Sequence, residues 1–174
     1  VLNSGETIEA AKNSLISVIG ENISVRRFES IETASGLVYG YLHGQKIGVL
    51  VSVVGGSAEL GRDLAMHIAA SNPIAIDESQ IPTKELEREK DIFLTQAAES
   101  GKPDTVVDKI VAGKLKKYIN ENTLLGQKFI KDAEIAVETL LARHNAQVES
   151  FVRYELGEGL EKRNEDFVGE VLAQ

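Results

Sequence analysis

The chain has 174 residues, is 43% hydrophobic and 26% charged, and carries a formal net charge of -8. That length supports one compact domain, or one domain with a projection. The acidic balance argues against sequence-independent nucleic-acid binding, which needs a Lys/Arg surplus. With no cysteine, disulfides and thiolate metal sites are excluded, and a reducing compartment is compatible.

The first residues, Val1-Leu2-Asn3-Ser4-Gly5-Glu6, hold no basic region and no initiator methionine. They do not read as a signal peptide; they read as a chain cut from something longer. Ile8, Ala11, Leu15 and Val18 recur at helical spacing and predict a helix to about Ile19, ended by Gly20. Three strand-like runs follow at 23–33, 37–43 and 46–54, separated by turns at 34–36 and 44–45, which predicts a β-meander. Val49, Val51 and Val53 share one face while Leu50 and Val54 share the other, so the third run is expected to be central or covered on both faces. The apolar run at 47–54 is too short to span a bilayer.

Gly55-Gly56-Ser57 launches the next helix, with Ser57 as its N-cap, and the helix carries one imidazole, His67, before an Asn72-Pro73 break. Residue chemistry leaves two roles for His67. It bonds Asp63 one turn earlier or a nearby carbonyl, or it sits at the rim of a recognition surface with an apolar floor and a polar tip. From Ile81 the chain becomes charge-rich. Leu86, Ile92, Phe93, Leu94 and Ala97 give one narrow apolar stripe, and Val107, Ile110, Val111, Leu115 and Tyr118 give another. Ser100-Gly101-Lys102-Pro103 turns the chain between them. Stripes this narrow predict an antiparallel helical hairpin that projects as a two-helix coiled coil. A local basic patch, Lys114-Lys116-Lys117, lies on its second helix among acidic neighbours.

The chain returns through Leu124-Leu125-Gly126-Gln127-Lys128-Phe129 to a predicted helix at about 132–144 and a strand at 147–156. Gly157-Glu158-Gly159 turns, and the tail to Gln174 is expected to end in a helix. The predicted class is α+β: an antiparallel β-meander core packed with helices, plus the projecting hairpin. Residues 1–80 form the first part of the core, 81–122 the hairpin, and 123–174 the returning part.

Chemistry-bearing patterns are sparse. His43, His67 and His144 are the only imidazoles, and none has the helical partner of a paired-His metal site. No Ser sits in a nucleophile elbow. Gly157-Glu158-Gly159-Leu160-Glu161-Lys162 lacks the third glycine of a dinucleotide loop, and Glu158 would repel a pyrophosphate. Gly55-Gly56-Ser57 lacks the Lys that follows in a P-loop. The residues therefore point to a binding protein and away from an enzyme.

Several blocks in order resemble bacterial elongation factor Ts. They are Gly20-Glu21-Asn22-Ile23-Ser24-Val25-Arg26-Arg27, Ile47-Gly48-Val49-Leu50-Val51, and Ala65-Met66-His67-Ile68-Ala69-Ala70-Ser71-Asn72-Pro73. Ser100-Gly101-Lys102-Pro103, Lys109-Ile110-Val111-Ala112-Gly113-Lys114-Leu115-Lys116-Lys117, Leu124-Leu125-Gly126-Gln127-Lys128-Phe129 and Phe151-Val152-Arg153-Tyr154-Glu155-Leu156-Gly157-Glu158-Gly159-Leu160-Glu161-Lys162 continue the series. The resemblance implies a cytoplasmic guanine nucleotide exchange factor that binds elongation factor Tu in its GDP form and promotes GDP release, with no cofactor and no covalent chemistry of its own. It implies contacts with the partner's G domain and third domain, and a partner-binding role for Ile47, Gly48 and His67. No direct nucleic-acid or membrane partner is implied; a second copy of the chain is a further candidate. The resemblance also implies that the family's N-terminal helical module and its magnesium-dislodging Thr-Asp-Phe segment lie outside this chain. The alternative function is a structural self-association module with no effect on nucleotide exchange.

Overall fold

A computed structural model describes residues 4–99 and 103–159. Two units are distinct, Val1–Ser30 and Ile31–Gln174. In the first, α1 (Ile8–Ile19) is capped by Thr7, whose hydroxyl accepts from the Ala10 amide at 3.1 Å, and is ended by Gly20 in the left-handed region at φ 80°. The first expected strand is corrected, because residues 23–33 form none. The pair Arg26-Arg27 breaks the apolar alternation and leaves Phe28 82% exposed. A strand without a neighbouring ladder leaves its amides unpaired, so β propensity alone does not hold it.

The second unit is built on a three-stranded antiparallel sheet of β1 (Leu37–His43), β2 (Ile47–Val54) and β5 (Gln147–Glu155), in the order β1-β2-β5. β2 is central, as its two-faced apolar pattern requires. The meander becomes a hairpin completed by a strand from far along the chain. Val49, Val51 and Val53 are buried on the inner face, beneath α2 (Ala58–Ser71). That helix supplies Leu60, Leu64 and Ile68 to the core, and Leu124, Val137, Leu141 and Val148 complete it. Each such side chain stabilises the fold by roughly 1.5–3 kcal/mol when fully buried. Ser57 caps α2 through its hydroxyl, which accepts from Leu60 at 3.2 Å, and Asn72 ends it at φ 45°.

The Gly55-Gly56 link between β2 and α2 is tight. Gly55 lies at φ 75°, and a Cβ there would overlap the Asn145 carbonyl. This explains the glycines as turn geometry. On the outer face, the Thr33 and Ser52 hydroxyls both donate to Glu149 at 2.7 Å and hold its carboxyl below the usual range.

The helices α3 (Thr83–Ala98) and α4 (Asp104–Asn122) run antiparallel and pack on each other. Ala97, Val107 and Val111 form a small cluster with Phe93, Leu94 and Ile110, separate from the main core. Pro103 precedes the first turn of α4 as expected, while Ser100, Gly101 and Lys102 lie outside the described residues, as does the tail from 160. The base of the pair is tied to the core by backbone hydrogen bonds from Ile74 to Asn122, Leu124 to Ala75 and Leu125 to Ile76, each 2.9–3.0 Å.

The helix expected at 132–144 is also corrected. Residues 132–136 form β4 (Asp132–Ala136), paired with β3 (Lys128–Phe129), and only Val137–Arg143 is helical, as α5. The amides of Val137 and Glu138 donate to the carbonyls of Gln127 and Leu125. These tertiary bonds hold the segment before Val137 extended, overriding its mild helical spacing.

Candidate partner-binding surface

His67 sits on α2, completely buried. Its Nδ1 accepts from the Ile130 backbone amide at 3.3 Å. A backbone N–H only donates, so the ring proton is on Nε2, which donates to Gln127 Oε1 at 3.1 Å. The Gln127 amide then donates to two carbonyls, Glu121 at 2.9 Å and Ser71 at 3.2 Å. The Phe129 ring lies 5.9 Å from the imidazole, centroid to centroid. One imidazole thereby fastens α2, the end of α4 and the 127–130 turn together. Burial lowers its proton affinity below the ordinary value of 6.5, with the Gln127 contact acting the other way.

Two sequence expectations for His67 are corrected. Asp63 is not its partner, since Asp63 takes Lys131 Nζ at 2.7 Å instead. The ring is also not at a rim, because Gln127, Phe129 and Ile130 close over it. The available signal was Gln127, an amide two residues past the Leu124-Leu125 pair, but nothing local in the sequence connects positions 67 and 127.

Ile47 and Gly48 begin β2 beside the 44–45 turn. Ile47 is partly buried against the core and registers with His43 and Glu155. Gly48 lies on the outer face opposite Leu42 and Tyr154. A Cβ at Gly48 would meet only Leu42 Cδ2, at an ordinary 3.4 Å, so the chain's own packing does not demand a glycine there. Leu42 is 76% and Leu156 79% exposed, and the Leu156 amide donates to the Lys46 carbonyl at 2.8 Å. The result is a small exposed apolar rim around a bare stretch of backbone. Tyr41 and His43 stack nearby, with Tyr41 Oη 3.2 Å from His43 Nδ1. Leu42 and Leu156 were not singled out from sequence; the outward phase of Leu42 in its strand was the available clue.

The structure brings Ile47 and Gly48 together but gives His67 a different set of neighbours. The three share one end of the α2–sheet layer. The short Gly55-Gly56-Ser57 link runs α2 back along β2, and Arg153, which registers with Val49, donates from Nε to the Ala69 carbonyl at 3.2 Å.

The sequence model of the family described as Elongation factor TS matches residues 1–158. The chain belongs to the elongation factor Ts family. It is 51% identical over 171 residues to Elongation factor Ts of Thioalkalivibrio sulfidiphilus, covering 98% of this chain and 58% of that protein. Elongation factor Ts of Legionella pneumophila (strain Lens) is 49% identical over 173 residues, 99% of this chain and 59% of that protein. The Elongation factor Ts of Nitrosomonas eutropha is 50% identical over 173 residues, with 99% and 58% covered. The chain thus spans a little under three-fifths of the length of these relatives. Elongation factor Ts membership makes this a chain of the translation elongation factors, and among the described residues no helix is long and apolar enough to cross a membrane.

Proposed function

We propose that this chain is the core-and-hairpin portion of a guanine nucleotide exchange factor that grips elongation factor Tu in its GDP form and promotes GDP release. The G domain and third domain of elongation factor Tu are the surfaces it engages, in the cytoplasm. Gripping the nucleotide-free state more tightly than the GDP state lowers GDP affinity by the same factor, which is linkage and needs no covalent step. In this reading the chain supplies grip on its partner.

The observation that carries the proposal is Gly48. It occupies an outward strand position with room for a side chain, between Tyr154 and the exposed Leu42. A bare backbone there favours close approach by another chain. Ile47 supports that contact from the start of central β2, and His67 serves it indirectly by fixing the 127–130 turn.

The test uses elongation factor Tu loaded with a fluorescent GDP. Faster release with the full-length protein, and competition by this chain for the same partner, is the expected result; unchanged release at saturation overturns it. Gly48→Val suits a strand and should leave the circular dichroism unchanged while weakening partner binding about tenfold. A self-association module is the second reading. Among the described residues the far edge of β1 pairs with nothing, and open edges recruit strands. Sedimentation showing a stable dimer that leaves nucleotide release untouched would favour it.

A further inference from the structure

Beside the buried His67–Gln127 network, a cleft of about 680 Å³ opens between α4 and the 126–128 turn. It is an open groove, shaped to receive an extended segment and not to enclose a small ligand. Its walls carry Lys116, Lys117 and Lys128, with Asn120 and Gln127 as amide groups. One carboxylate, Glu121, lies among them and pairs with Lys117 at 3.6 Å. Lys128 Nζ donates to a neutral acceptor, the Glu134 carbonyl, at 3.1 Å. Among the described residues, neither Lys116 nor Lys128 has a carboxylate within ion-pair distance. Lys116 and Lys128 thus border the cleft without a carboxylate partner, in a chain whose net charge is -8.

Gly113 gives an independent sign. It lies inside α4 and lines the cleft, and a Cβ there would meet nothing within 4 Å. Neither packing nor backbone conformation calls for glycine at this point, and glycine weakens a helix interior. What the missing side chain does is keep the mouth of the cleft low enough for another backbone to lie against α4.

We propose that this cleft docks an acidic polypeptide segment of a protein partner, its carboxylates on Lys116, Lys117 and Lys128 and its backbone across Gly113. Charge complementarity selects the acidic class, and the Asn120 amide can meet a peptide unit of such a segment. A nucleic-acid strand fits less well. Among the described residues its walls hold no aromatic ring on which bases could stack.

The test titrates a labelled octaglutamate peptide into the chain at low ionic strength, following anisotropy and backbone amide resonances. Binding should shift the amides of Gly113 and Gly126, and Lys116→Glu combined with Lys128→Glu should weaken it at least about tenfold. Gly113→Ala should raise the melting temperature while weakening the peptide, a split that mere loss of fold cannot produce. No binding, shifts confined elsewhere, or equal binding by the charge-reversed variant overturns the proposal. Tighter binding of octauridylate, lost in the same variant, would make the cleft a nucleic-acid site. Full displacement of the peptide by inorganic phosphate at equal concentration would make it a simple anion site.

Discussion

A buried imidazole with both nitrogens engaged is a demanding element of a core. Truncating His67 removes a ring packed on Phe129 and leaves Gln127 Oε1 and the Ile130 amide without partners. Unpaired buried groups cost about 1–3 kcal/mol each, and the cavity adds to that. His67→Ala should therefore lower unfolding stability by about 2–4 kcal/mol in urea titrations. Partner affinity should fall only as far as the 127–130 turn loosens. The titration has a definite sign. The folded-state pKa lies below the ordinary 6.5, so the unfolded chain binds more protons as the solution acidifies. The His67 contribution is complete above about 6.5 and fades as pH falls from there through the folded value. His67→Gln should flatten that part of the stability–pH curve, and an unchanged slope would show that His67 does not set it.

Gly61 gives the corresponding lesson for the packed elements. It lies on the α2 face that receives the Tyr39 ring of β1, and a Cβ there would overlap that ring. Gly61→Ala offers better helix propensity yet should destabilise by about 1–3 kcal/mol, since the ring has to move out of a close-packed layer. A melting temperature equal to or above that of the parent chain would show that Tyr39 yields freely. Elements whose evidence is local were legible in the sequence: α1 with its Gly20 stop, the Ser57 cap, central β2, and the two narrow-striped helices. What failed was set by distant partners. Residues 23–33 begin with strand-like alternation, broken at Arg26-Arg27, and have no ladder, and 132–136 look helical until Gln127 and Leu125 accept the amides that follow. Of the proposed surface, Ile47 and Gly48 rest on the resemblance. The exposed Leu42 and Leu156 beside them depend on strand register, and the closure of the 127–130 turn over His67 depends on a pairing sixty positions apart.

Across the described residues of the second unit, most buried apolar residues fall into two clusters that do not share members. The main core draws on the sheet, α2, α5 and residues 124–129, while the α3–α4 pair keeps its own cluster of Ala97, Val107 and Val111. The ties between them are at the base: Gln127 reaches the Glu121 carbonyl, and backbone bonds fasten residues 122–125 to 74–76. Replacing residues 87–115 with a short Gly/Ser linker would remove the whole small cluster and none of these ties. The extra loop-closure entropy is slight, because it grows only logarithmically with length. The shortened chain should keep a single cooperative unfolding transition and a melting temperature close to that of the parent. Its denaturant m-value should fall with the surface removed. Loss of cooperativity would mean that the helical pair is part of the folding core. Retained cooperativity with lost octaglutamate binding would place Gly113 and the wall of α4 in the docking cleft, outside the core.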